Sequence, residues 1–172
     1  MTDADAVPPA PAGNPALREP AHQVSTKAPM VWAIGAAVRA SVVLVVLVLA
    51  VIFDWFEVPL WAWPLYAVVA IAYVVWMPRV RYRIHRWEST DTAVYTQTGW
   101  LSRERRIAPM SRVQTVDYEQ SAIGRFLDLA SVTVTTASAA GPLKITMVDK
   151  HVADRLVADL TRRTEAEAGD AT

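Results

Sequence analysis

Hydrophobic and polar positions change their rhythm twice along this chain. From Met30 to Met77 apolar residues run almost unbroken, interrupted by Asp54-Trp55-Phe56-Glu57. The two halves, 30–53 and 58–77, each have about the 20 apolar residues that an α-helix needs to cross a bilayer's hydrocarbon core. The stretch 29–78 is therefore predicted to be a two-helix transmembrane hairpin with a tight turn. Pro64 falls near the start of the second helix, where a missing amide donor costs little.

After Met77 the rhythm becomes alternating. Val80, Tyr82 and Ile84 alternate with Arg79, Arg81, Arg83 and then His85, predicting a strand with one dry and one wet face. Further strands are predicted over 93–97, 100–107, 113–120, 131–136 and from Leu143 through Met147, with turns at Thr98-Gly99 and 137–142. Pro109 ends the third run by lacking a ladder donor. Within 113–120, Val116 and Tyr118 are expected inside and Asp117 and Glu119 outside. The stretch 121–129 holds Gly124 and no sustained alternation, so it reads as a turn or a short helical piece. The last rhythm is helical: Val152, Leu156 and Leu160 recur every four residues, Ala153 and Val157 widen the stripe, and Asp149 is placed to cap. Such a lone amphipathic helix must lay its stripe on the sheet. The soluble part, 79–164, is thus predicted as an α+β, mainly β domain of six to seven short antiparallel strands closed by one C-terminal helix. The tail 165–172 should fray.

The N-terminal stretch 1–28 carries prolines at 8, 9, 11, 15 and 20 and few large apolar residues, a composition that predicts disorder. Asp3 and Asp5, rather than basic residues, precede the first apolar run, so that run reads as an uncleaved anchor. Arg79, Arg81, Arg83, His85 and Arg86 follow the second span, whereas the turn holds Asp54 and Glu57. Basic residues beside spans are retained in the cytoplasm, which predicts a multi-pass plasma-membrane protein with both termini inside. Trp55, Phe56, Trp61 and Trp63 mark the outer interface, and Trp32, Tyr73 and Trp76 the inner one. Arg39 is the one charge inside an apolar segment. It is either a functional group on an ion or substrate path, or a side chain snorkelling to phosphates.

Composition narrows the chemistry. With 172 residues, 53% of them hydrophobic, and zero formal net charge, the chain has room for one compact domain besides the hairpin. Zero cysteines exclude disulfides, thiolate metal sites and cysteine nucleophiles. His22, His85 and His151 are not spaced with a second ligand as a metal set. Ser121 and Ser131 lack a nucleophile-elbow context, and the glycines form no phosphate loop. Neither a catalytic residue nor a cofactor or metal is expected.

A strongly bent antiparallel sheet plugged by one helix is the pleckstrin-homology (PH) type of architecture. The two spans, the Arg-rich segment, Gly99-Trp100-Leu101, Ile107-Ala108-Pro109, Arg112-Val113-Gln114-Thr115-Val116, Gln120-Ser121 and Gly124-Arg125-Phe126-Leu127-Asp128-Leu129-Ala130 together resemble the bacterial membrane-flanked PH-like domain family, bacterial PH domain 2, which includes the YdbS-type proteins. The resemblance covers roughly residues 28 to 160, and the run from Ile107 to Ala130 is its specific part. It implies a PH-like fold attached to short transmembrane helices, often encoded beside a longer relative, with no established catalytic residue to carry over. This chain departs from the longer relatives in having one PH-like domain, so functions that need tandem domains are not implied.

Two sets of polar residues invite functional readings. Arg79, Arg81, Arg83 and Arg86 are candidate contacts for anionic lipid, each contributing on the order of 1 kcal/mol beside an anionic leaflet; alternatively they only set topology. Arg112, Gln114, Gln120 and Arg125 form either a partner-binding surface or a structural motif, with Arg125 bridging to Asp128 or to an acidic strand residue. Arg39, Trp32, Trp55 and Trp76 are assigned to the membrane interface. A phosphoinositide site does not follow from the fold, and no element suits nucleic acid. The expected function is a non-enzymatic, membrane-anchored binding or scaffold module that engages anionic lipid, a second copy, or another membrane protein such as a longer relative with several PH-like domains. The alternative is a subunit of a transport or export assembly with Arg39 on its path. Gly35-Ala36-Ala37 and Ala40-Ser41 offer a small-residue face for helix association.

Overall fold

A computed structural model describes residues 19–137 and 141–170. Its two long helices, α1 (Ala28–Ile52) and α2 (Ala62–Ile84), are both long and apolar enough to cross a membrane. α1 stops because Asp54 takes a left-handed φ of 54°, letting the amide of Trp55 reach the carbonyl of Ala50 at 3.0 Å. Such a cap satisfies carbonyls that the helix end leaves open.

α2 passes through Pro78 and ends at Ile84, which corrects the strand expected over 79–85. Pro78 removes one helix donor, and beside that gap the Arg79 guanidinium donates to the Val75 carbonyl. The alternation that suggested a strand is met by a helix instead. Met77 and Ile84, seven residues apart, are both buried, while Arg79 and Arg83, four apart, are both exposed.

Seven strands form two antiparallel sheets. The first has the order β1 (His22–Gln23), β2 (Arg86–Ser89), β3 (Ala93–Gly99), β4 (Arg103–Pro109). A single 3-10 turn, Met110–Arg112, leads to the second sheet, β5 (Val113–Glu119), β6 (Leu129–Thr136), β7 (Leu143–Asp149), with the short helix α3 (Ala122–Leu127) between β5 and β6. Residues 19–28, expected to be disordered, instead supply β1 and the buried Val24 and Ser25; residues 1–18 and 171–172 of the two expected tails lie outside the described residues. The hairpin is therefore inserted between two neighbouring strands, since His22 pairs with Trp87 and Gln23 with Arg86.

Registers differ in detail from a plain alternation. β3 ends at Gly99, whose φ of 126° turns the chain and whose missing Cβ makes room for the Ser102 carbonyl, so Trp100 lies in the turn rather than in β4. A bulge between Val113 and Thr115 leaves Val113 and Val116 packed on the core, while Tyr118 is exposed, not inside. A second irregularity and the left-handed φ of Met147 make Leu143, Ile145 and Val148 the inward positions of β7.

The C-terminal helix α4 (Lys150–Asp170) closes the domain with Ala153, Leu156 and Leu160 on Val94, Met110, Val132, Val134 and Ile145. It does not fray at 165. Glu-Ala-Glu-Ala has high intrinsic helix propensity, so the backbone stays helical beyond the last packing residue. Leu160 is fully buried. Replacing it by Ala should destabilise the domain by about 2–5 kcal/mol through lost transfer energy and a residual cavity, read as a lowered unfolding midpoint of the detergent-solubilised chain.

Candidate functional site

The helices meet the sheets in a polar joint. On α1, Trp32 presents its ring to the Arg81 guanidinium at 4.5 Å and to the His85 ring at 4.9 Å between centroids. Such a cation over an indole face contributes roughly 0.5–2 kcal/mol. His85 Nδ1 lies 2.9 Å from the Arg81 carbonyl, and Arg81 Nε lies 3.4 Å from His85 Nε2. Both contacts are satisfied when Nδ1 carries the proton and Nε2 accepts, which is the neutral imidazole. Burial pushes the His85 pKa down, and the adjacent Arg81 charge pushes it further.

Hydrogen bonds extend the joint into both sheets. The fully buried Gln97 donates to the Ile84 carbonyl at 3.0 Å and accepts from Arg105 at 2.8 Å. On the α1 side, Ser25 donates to Asp149 at 2.7 Å, its amide reaches the Met147 carbonyl at 2.8 Å, and Lys27 donates to the Leu127 carbonyl at 2.8 Å. Val24, Ala28, Trp32, Ala36 and Met77 form a small apolar cluster behind these bonds.

This arrangement sorts the candidate residues. Arg79 and Arg83 are exposed. Arg81 is held by Trp32 and His85, and Arg86 reaches the Pro20 carbonyl and the Glu19 carboxylate, so these two belong to the protein's own contacts rather than to an open basic surface. Trp32, assigned to the membrane interface, is 6% exposed and belongs to the joint, whereas Trp55 and Trp76 are open. The Arg39 guanidinium folds back over Gly35, one turn toward the domain end of α1. Ala36 is buried and the Tyr66 hydroxyl donates to the Ala40 carbonyl at 2.5 Å, whereas Ala37 and Ser41 of the small-residue face stay exposed.

Arg112, Gln114, Gln120 and Arg125 do not converge. Arg112 precedes Val113, which pairs with Thr136 at one end of β6, whereas Gln120 and Arg125 sit beside Leu129 at the other end, roughly 20 Å away at strand rise. Gln120 donates to the Gly124 carbonyl at 3.5 Å, and Ser121 caps α3 by accepting from the Gly124 amide at 3.0 Å. A side chain at Gly124 would press on the Leu129 carbonyl at 2.6 Å, so the glycine is a close-approach requirement. The bridge expected from Arg125 to Asp128 is absent among the described residues. Arg112 instead lines a basic recess with Arg105 and Arg106.

One feature escaped the sequence reading. Between the β1–β2 edge and α4 runs a groove of about 660 Å³, lined by His22, Trp87, Ser89, Val152, Arg155, Leu156 and Asp159. Two polar atoms of its lining residues, Trp87 Nε1 and Ser89 Oγ, are buried without a hydrogen-bond partner. The Asp159 carboxyl is held below its usual range by hydrogen bonding to Arg163, with Arg162 adding to it, and Arg163 also reaches Asp91 in the β2–β3 turn. The groove was hidden because His22 read as tail and Trp87 fell in a gap between expected strands. Among the described residues no group of three or more His, Asp or Glu is placed to hold a metal.

Two sheets capped by a C-terminal helix and carried on two membrane-capable helices define a membrane-associated PH-like protein. The chain belongs to the bacterial PH domain family, whose model matches residues 30–164. It is similar to the UPF0699 transmembrane protein YdbS of Bacillus subtilis (strain 168), with 29% identity over 152 residues that cover 84% of this chain and 92% of that protein. No solved structure matches.

The joint should respond to acid. Because the folded-state pKa of His85 is depressed, the unfolded chain binds the proton first, and stability present above the ordinary histidine pKa of about 6.5 is lost as pH falls below it toward the depressed value. Thermal unfolding in detergent should therefore occur at lower temperature at acidic than at neutral pH, and the His85→Asn variant should show a smaller pH dependence.

Proposed function

We propose that this protein is a non-enzymatic recognition module of the plasma membrane, with both termini cytoplasmic, whose PH-like domain receives a segment of a partner protein in the groove between β2 and α4. The observation that carries this reading is the groove itself, an open cleft of about 660 Å³ between the β1–β2 edge and α4. No residue of α1 or α2 lines the groove, and its mixed apolar and charged walls suit an amphipathic segment. The exposed Arg79 and Arg83, beside the inner end of α2, would serve anionic headgroups and retention on the cytoplasmic side rather than recognition of the partner. Arg39, turned back toward Gly35, fits a snorkelling side chain better than a group lining a transport path.

A photo-crosslinking amino acid in place of Arg155, in the full chain in native membranes, should give an adduct of discrete mass that Val152→Glu abolishes; mass spectrometry then distinguishes a second copy from a larger relative. Absence of an adduct, or the same adducts from a crosslinker at Asp117 on β5, would overturn the groove reading. For orientation, alkaline phosphatase fused after Thr172 should be inactive and a fluorescent reporter there bright.

A further inference from the structure

The domain has a near end and a far end relative to the helices, and the chain's connections define them. β2 starts directly after α2, so its partner β3 ends, at Gln97 to Gly99, on the near side, and the β3–β4 turn points along the helices. β6 starts opposite Asp149, which Ser25 binds just before α1, so α3 also lies on the near side. The far end carries the β2–β3 turn and the Met110–Arg112 turn.

Both near-side elements expose large apolar side chains. At the β3–β4 tip Leu101 is 83% exposed, and Trp100 meets the Tyr73 ring edge-on at 5.8 Å. Tyr73 lies eleven residues before the end of α2, roughly 16 Å down the helix axis. It is also six residues, about 9 Å, on the apolar side of Arg79, the first charge after the span. On the other flank Phe126 of α3 is 91% exposed and Ile123 51%, beside Val31 of α1, with Lys27 hydrogen-bonded to the end of α3.

We propose that the β3–β4 tip and α3 are two apolar feet, Trp100-Leu101 and Ile123 with Phe126, that insert into the interfacial zone of the same bilayer the hairpin crosses. The occupant is lipid because the tip is already stacked on a spanning helix, at a depth matching the 5–10 Å to which interfacial apolar groups sink. Tryptophan and tyrosine favour that zone; Lys27 is bonded to the end of α3, and the exposed Arg79 and Arg83 lie on α2 on the polar side of Tyr73, where anionic phosphates would meet them. With one foot against each helix, the domain is held at a fixed tilt rather than swinging on its stem. The inference needs only the membrane association, so it stands or falls separately from the groove.

The cysteine-free chain allows a direct test. Leu101→Cys, Phe126→Cys and, as a far-end control, Ser111→Cys are each spin-labelled in the full-length protein and reconstituted in phosphatidylethanolamine and phosphatidylglycerol vesicles. Electron paramagnetic resonance then compares collisions with oxygen and with a water-soluble nickel complex. Labels at 101 and 126 should favour oxygen, with nickel accessibility about fivefold below that at 111. Nickel accessibility equal to the control at either foot would overturn the proposal. So would labels immobile and shielded from both reagents, which would mean that protein, and not lipid, covers the feet.

Discussion

Everything else in the molecule depends on how the hairpin is spliced into the sheet. β1 and β2 are hydrogen-bonded neighbours, yet the chain between them runs out through α1 and back through α2. Each helix is therefore tied to the domain at its own end, α1 through Ser25, Lys27 and Trp32, α2 through Ile84 and His85. Two attachments a helix diameter apart resist rotation in a way that a single linker does not. The residues that complete the joint, Gln97, Arg105 and Asp149, come from three different strands, so the domain must be folded for the joint to exist.

The neutral state of His85 shows why the joint tolerates so much positive charge. Among the described residues, the Arg81 guanidinium sits over an indole and against a histidine rather than against a carboxylate. An imidazole with its lone pair on Nε2 accepts from the guanidinium, whereas an imidazolium would present a second like charge in a buried site. The Trp32 face supplies the remaining attraction, so aromatic and histidine stand in for an acidic partner at this half-buried arginine.

Much of this was legible in the sequence, and the failures have physical causes. The spans and the stripe on α4 were readable because a single burial requirement sets their period, and the break at 121–129 was readable because alternation fails there. The segment 79–85 was misread because arginines at alternate positions satisfy a strand's wet face and also, at Arg79 and Arg83, one face of a helix. Deciding between them requires knowing that Trp32, nearly fifty residues earlier, takes up Arg81. The same distance in sequence hid β1: two residues in a proline-bearing stretch have no periodicity of their own and become a strand only because β2 offers an edge. The groove followed from that misreading, since one wall is β1 with β2 and the other is α4.

The division of basic residues follows from the same geometry. A charge count alone assigns the arginines between 79 and 112 to one membrane-facing surface. Topology separates them: Arg79 and Arg83 stay on the helical stem, Arg81, Arg86 and Arg105 are drawn into contacts within the protein, and Arg112 is carried to the far end by the length of β4. A small domain beside a bilayer needs an apolar edge on the lipid side and a polar one on the solvent side. Here the apolar edge is made by turns, at Trp100-Leu101 and at α3, whose backbone bends there for local reasons, the positive φ of Gly99 and the serine cap at Ser121. Turn tips in most soluble domains are polar because water surrounds them. Large apolar side chains on two tips of the same end, next to two spanning helices, point instead to a different solvent at that end.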